Sequence, residues 1–312
     1  MDAVFNVALP VFAIMAAGWL AGRFGVLGPQ GSETLNRFVY YAALPALFLV
    51  SMAKAPVADI FNWNFIGAFF GAQIGTFIIA VAVGKVLFPG RLAQMTLHGL
   101  SAMFSNTGYM GIPLLILAFG DDGILPAAIS TVINGALNMA LAIALIELDM
   151  ARKAGPLAAL RDAIAGMLKS PLVLSAAAGL GWSASGLPLP TPIENFCSTI
   201  GAAASPAALF AIGLFMVGRQ MTAGLGEVSW LVFLKLVVNP ALALLLIWAL
   251  FPMEPVWVAS AVIMSALPTG GLVFILAQKY DIYLQRSTAA IMISTILSVL
   301  TVSAVMIYYV PG

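Results

Sequence analysis

Residues 105–113 read Ser-Asn-Thr-Gly-Tyr-Met-Gly-Ile-Pro, in the middle of an apolar run from Leu92 to Phe119. A run of that length is a candidate membrane-crossing helix, yet this one carries an asparagine, two glycines and a proline near mid-span. Proline removes a backbone donor and clashes with the preceding turn, while glycine tolerates non-helical dihedrals, so the stretch predicts a helix broken into two halves. Residues 265–271, Ser-Ala-Leu-Pro-Thr-Gly-Gly, occupy the middle of a second run from Pro255 to Tyr280 and read the same way. Unwound backbone is costly against lipid and is tolerated only where protein or a water-filled cavity supplies partners. Both breaks are therefore expected in the interior, crossing each other.

The rest of the chain agrees with a membrane setting. Hydrophobic residues make up 62% of 312 positions and charged residues 8%, against roughly 25% charged in soluble domains. Apolar runs of membrane-spanning length fill the chain and leave no room for a soluble domain. The expected class is an all-α, polytopic membrane protein that forms one transport domain, residues 1–312. Helices are predicted near Ala3–Ala21, Leu35–Met52, Phe65–Phe88, Leu92–Phe119, Ile124–Glu147, Pro171–Gly186, Ile193–Gly218, Ser229–Phe251, Pro255–Tyr280 and Ser287–Tyr309. The start Met1-Asp2-Ala3 lacks the basic segment of a secretory signal, so the first helix is expected to be retained.

Five motifs recur in order at offsets of 160 to 164 residues: Pro10 as Pro171, Pro45-Ala46-Leu47-Phe48 as Pro206 to Phe210, Leu87-Phe88-Pro89 as Leu250-Phe251-Pro252, Ile129-Ser130-Thr131 as Ile293-Ser294-Thr295, and Gly111 as Gly271. The pattern divides the chain into a repeat of five helices, 1–147, a connector, 148–170, and a second repeat, 171–312. An odd helix count forces the second repeat to enter the membrane from the opposite side, giving inverted repeats of the kind found in secondary transporters. Twelve Lys and Arg fall beside odd-numbered loops and only Lys54 beside an even one. Basic loops are cytoplasmic, so both termini are expected outside, in a multi-pass protein of the cell inner membrane.

At such a crossing the N-terminal ends of the second half-helices present unpaired N–H groups and positive dipole ends, which suit an anion. Asn106 and Thr107 add neutral donors and acceptors beside Gly108, and Thr269, Gly270 and Gly271 mark the second break. Asn36, Tyr40, Tyr41, Asn134 and Asn138 either line the cavity or make ordinary interhelical hydrogen bonds. Asn239 precedes Pro240 and can serve the carbonyl which that proline frees. Lys235, some six residues inside its helix, is expected to snorkel to the cytoplasmic face, and His98, the only histidine, to sit at the interface without a coupling duty. Cys197 is expected to be a packing residue.

The whole chain resembles the auxin efflux carrier family, within the larger group of bile-acid and arsenite transporters. The resemblance is strongest over Asn106-Thr107-Gly108-Tyr109-Met110-Gly111-Ile112-Pro113-Leu114 and Leu267-Pro268-Thr269-Gly270. It implies helices that cross at prolines, a substrate site at the crossing, and roles there for Asn106, Pro113 and Pro268. The plant members' long central loop is reduced here to a short connector. The expected function is elevator-type alternating access that moves a small organic anion, malonate-like or auxin-like. The alternative is a sodium-coupled symporter of the bile-acid type, against which counts the lack of an acidic residue beside either break.

Nothing in the pattern calls for a cofactor or metal, and no catalytic group is expected, because neither a buried aspartate pair nor a Ser/His arrangement appears at depth. A net charge of +1 gives no reason for a nucleic-acid partner. The partners expected are the lipid bilayer and a small anionic solute, and a homodimer is one assembly open to the chain.

Overall fold

The computed structural model describes residues 9–28, 30–54, 61–150, 168–169, 171–218 and 224–310. Regular structure among them is helical. We number α1 Leu9–Arg23, α2 Gln30–Lys54, α3 Trp63–Leu87, α4 Leu92–Met103, α5 Ile112–Phe119, α6 124–150, α7 Pro171–Ala184, α8 Thr191–Met216, α9 Leu225–Ala249, α10 Pro255–Ala266, α11 Leu272–Tyr280 and α12 Leu284–Tyr309. Six helical stretches are long and apolar enough to cross a bilayer, and α1, α7 and α10 are shorter apolar helices. The 25 residues of α3 reach about 37 Å at about 1.5 Å each, more than the hydrocarbon core. The expected first-helix residues 3–8 and most of the connector lie outside the described residues.

Three helices start at least three residues earlier than the apolar pattern predicts. α2 begins at Gln30 instead of Leu35, α9 at Leu225 instead of Ser229, and α12 at Leu284 instead of Ser287. The added turns are polar. Glu33 and Arg37 pair at 2.7 Å one turn apart in α2, and Glu227 lies in the first turn of α9, where a carboxylate suits the helix dipole. Apolar length misses such turns because they need not be apolar at the membrane boundary.

Three prolines inside the spans follow widened turns. Pro45, Pro113 and Pro240 each stand two residues beyond a π-helical turn, Val39–Ala43, Thr107–Gly111 and Leu234–Val238 respectively. A proline cannot donate to the carbonyl four residues back and its ring crowds that oxygen, so the preceding turn opens by one residue.

The helices pack as two groups. α1 lies along α8 and α2 along α7, while α3, α4, α6 and α9 to α12 pack on one another. The first pairing depends on glycine: a Cβ on Gly18 would fall 2.1 Å from the Phe210 carbonyl oxygen, and one on Gly213 would fall 1.9 Å from that of Met15. The second group holds both broken helices. α4 and α5 correspond to the fourth predicted helix, and α10 and α11 to the ninth.

Candidate functional site

The break after α4 is three non-helical residues, Phe104 to Asn106, and the break after α10 runs from Leu267 to Gly271. They meet as a short antiparallel pair with Ser105 opposite Thr269. The Asn106 N–H donates to the Pro268 carbonyl at 2.9 Å, and the Gly270 N–H donates to the Phe104 carbonyl at 3.0 Å. Each break therefore supplies the hydrogen bonds that the other lost on leaving its helix, which lets non-helical backbone persist in an apolar setting.

Side chains from four neighbouring helices hold the pair. From α6, the Asn134 amide donates to the Ser105 carbonyl at 3.0 Å and to the Thr107 hydroxyl at 3.1 Å. Its own oxygen accepts from Gln73 of α3 at 2.9 Å and from Asn138 at 2.7 Å, and Asn138 also donates to Gln73 at 2.7 Å. On the second break, the Thr269 hydroxyl donates to the Ser101 carbonyl at 2.8 Å, and its N–H donates to the Ser294 hydroxyl of α12 at 3.1 Å. From α9, the Lys235 Nζ donates to the Ser265 carbonyl at 2.7 Å and the Asn239 amide to the same oxygen at 3.2 Å. The last carbonyls of a helix have no partner within it, and α9 supplies donors to that end of α10.

A cavity of about 40 Å³ lies against the crossing. It is lined by Tyr40 and Leu44 of α2, by Phe104 to Tyr109, by Asn134 of α6 and by Gly270, Gly271 and Leu272, among others. The beginnings of both second half-helices thus face one space. At about 10–15 Å³ per water it has room for about three waters. A larger cavity of about 640 Å³ is lined by Leu47, Ser51, Lys54, Asp121, Asp122 and Glu254, among others. Leu44 lines the small cavity and Leu47 the large one, so along α2 they are one turn apart.

A family model described as "Membrane transport protein" matches residues 3–306. The chain belongs to the auxin efflux carrier family. Among its relatives is a protein of Rhizobium meliloti (strain 1021) named "Putative malonate transporter", 30% identical over 306 residues, with 98% of this chain and 96% of that protein covered. The "Uncharacterized transporter YfdV" of Escherichia coli (strain K12) is 26% identical over 308 residues, covering 94% of this chain and 93% of its own length. The "Lysosomal cholesterol signaling protein" of Mus musculus is 24% identical over 257 residues, which are 77% of this chain but 29% of that protein. The chain is a multi-pass membrane transporter and not an enzyme.

In this member of the auxin efflux carrier family, the structure brings Asn106, Thr107, Gly108, Gly270, Gly271, Tyr40 and Asn134 together at the small cavity. It does not bring the others there. Thr269 is buried with its hydroxyl turned to Ser101, and Pro268 contributes its carbonyl to Asn106. Pro113 stands in the first turn of α5, seven residues beyond Asn106. Asn36 lies outside the cavity lining, Tyr41 is 67% exposed with its ring edge-on to Tyr40, and Asn138 is held within the buried amide network.

Three polar residues depart from the sequence expectations. Lys235 does not snorkel: it is fully buried and bonded to Ser265. Its stem is directed by α9 toward the crossing, where a free carbonyl is a nearer partner than water. Asn239 likewise donates to Ser265, instead of serving its own helix. His98 is fully buried, with Nδ1 2.7 Å from Glu227 Oε1, instead of reaching for water. Cys197 is buried, as a packing residue would be. Sequence reasoning missed Gln73, which binds both asparagines of α6. The signal was present, since a glutamine at mid-length of an apolar 25-residue helix needs a partner or a function.

Proposed function

We propose that this transporter moves a small organic anion, with a malonate-like dicarboxylate as the first candidate, by alternating access about the crossing. The observation that carries the reading is the convergence of two helix beginnings and the neutral side chains of Asn106, Thr107 and Asn134 on one cavity. Helix beginnings offer N–H groups and partial positive charge to a carboxylate. Asn106 is 5% exposed and its side chain does not cap the helix that follows, which leaves its amide free to meet a ligand. The name of the Rhizobium meliloti relative supports the malonate class over an aromatic acid.

In this reading the chain crosses the membrane ten times as two inverted five-helix units, with the basic loops in the cytoplasm and both termini outside the inner membrane. The group α1, α2, α7 and α8 acts as the fixed part, and the group with the crossing moves past it as an elevator. The cavity near Lys54 is the entrance on the outer side.

The sodium-coupled alternative fits less well. The carbonyl of Ser265 at the C-terminal end of α10, an oxygen that could help hold a coupling cation, already accepts from Lys235 and Asn239. Uptake into proteoliposomes tests both points. Malonate accumulation should be independent of sodium, and Asn106→Ala should raise the apparent KM by about tenfold or more, the worth of one hydrogen bond to a charged group. Indifference to a panel of carboxylates, or a strict sodium requirement, would remove the proposal.

A further inference from the structure

The two second half-helices end differently. α5 and α11 each lead away from one break, and each stops at a residue with positive φ. After α5 that residue is Gly120, at φ 60° with open space where a Cβ would be, and glycine takes this conformation freely. After α11 it is Asp281, at φ 52°, and two residues further on Tyr283 stands at φ 62°. Among the described residues, these are the two positions other than glycine with positive φ. A Cβ makes that conformation costly, and a bulky side chain seldom adopts it. Between them Ile282 is buried, and its N–H returns to the Ala277 carbonyl at 3.0 Å.

Two tyrosine hydroxyls hold this turn. Tyr280, the last residue of α11, donates to Glu147 of α6 at 2.6 Å. Tyr283 donates to Oε1 of Glu227 in α9. Glu227 is 5% exposed and is itself fixed, with Oε1 2.7 Å from His98 Nδ1 of α4 and Oε2 3.1 Å from Arg286 Nε of α12. The Arg286 guanidinium also lies over the Tyr283 ring, 5.6 Å from its centre. Hydrogen bonds to a carboxylate are stronger than those between neutral groups, and an uncommon backbone conformation persists where such surroundings over-determine it. The last residue of α5 is Phe119, which has no hydroxyl to make such a tie.

We propose that Tyr283, with Tyr280 beside it, is a positioning residue for cargo binding. The two hydroxyl–carboxylate bonds set where α11 lies, and so where the start of α11 meets the cavity. α11 has nine residues, with no proline or glycine among them to let it kink. It spans about 13 Å at about 1.5 Å per residue. A displacement at Tyr280 therefore reaches Gly271 and Leu272, which line the cavity. It also pulls on the Gly270 N–H, which holds the second break to the Phe104 carbonyl at 3.0 Å. Neither tyrosine lines the cavity, so their effect on binding passes through α11. This role rests on the reading that the cavity at the crossing holds the cargo.

Tyr283→Phe and Tyr280→Phe each remove one hydroxyl and keep the ring. Uptake into proteoliposomes is measured with malonate, or with the panel carboxylate that the wild type takes up fastest. Each variant should raise the apparent KM about threefold to tenfold, with the maximal rate within about twofold of wild type. The same carboxylate should also raise the Tm of each variant by less than it raises that of the wild type. Tm without cargo records the lost hydrogen bond itself. A lower Tm with KM unchanged marks a turn that is merely structural and overturns the proposal, as does a loss confined to the maximal rate. Tyr280→Phe, whose bond lies outside the Glu227 cluster, decides the matter if Tyr283→Phe does not fold. Asn106→Ala is the reference. A KM shift there and none in the tyrosine variants overturns the positioning role and leaves the cargo site standing. No shift in any of the three, or no uptake of any carboxylate by the wild type, removes the cargo reading and the positioning role with it.

Discussion

The two breaks occupy corresponding places in their helices but are chemically unlike. The first, Phe104 to Asn106, brings polar side chains to the cavity: Ser105, Asn106 and the adjoining Thr107 all line it. The second, Leu267 to Gly271, brings almost none. Its one hydroxyl, Thr269, is spent on the Ser101 carbonyl, and what it shows the cavity is Gly270 and Gly271. A pair of crossed segments needs both to exchange backbone hydrogen bonds, yet only one must recognise a ligand. In the function proposed above, the first break carries recognition and the second carries shape.

The sharpest way to break that division is to fill the second break. A Cβ on Gly270 would lie 2.9 Å from the Phe104 ring and 3.1 Å from the Ser105 carbonyl oxygen. Gly270→Val should force the two strands apart, abolish uptake and lower Tm by several degrees, as overpacking by about 1–3 kcal/mol does. Uptake retained near the wild-type rate would show that the close approach is not needed. A smaller effect is expected from Thr269→Val, which removes one buried hydrogen bond worth about 1 kcal/mol. Because that hydroxyl does not line the cavity, the variant should lose a few degrees of Tm while its apparent KM stays put. Asn106→Ala should do the reverse, and a shift of KM in Thr269→Val would erase the distinction between the breaks.

The helical class and the pairing of the breaks were legible in the sequence because both follow from local rules, apolar length and the conformational demands of Gly and Pro. What the side chains do at the crossing was legible only where contacts are near in sequence. Asn106 and Thr107 are next to the break, and the structure places both at the small cavity. Gln73 acts through Asn134, 61 positions away, and nothing local to α3 tells a glutamine that binds an asparagine from one that fills space. Lys235 and His98 were misread for a related reason. A lysine or histidine a few residues inside a helix is expected to reach for water, and only the packed neighbours, Ser265 and Glu227, reveal a shorter route to a partner.

The smallest effect concerns the prolines, which the sequence treats as equivalent. Pro268 lies within the second break and its carbonyl binds Asn106, whereas Pro113 follows a π-helical turn, just as Pro45 does in α2 and Pro240 in α9. Those two prolines lie in helices that run on without an extended break. A widened turn thus accompanies these three prolines whether or not a crossing is near. Pro113→Ala should let Thr107–Gly111 tighten toward an ordinary turn at a first-turn position where proline is well tolerated. Tm should move by no more than about one or two degrees and uptake by less than about twofold, within the range of a substitution that breaks no contact. A loss of tenfold or more would mean that the π-helical turn itself sets the orientation of Asn106 and Thr107, and that recognition begins at the proline and not at the break.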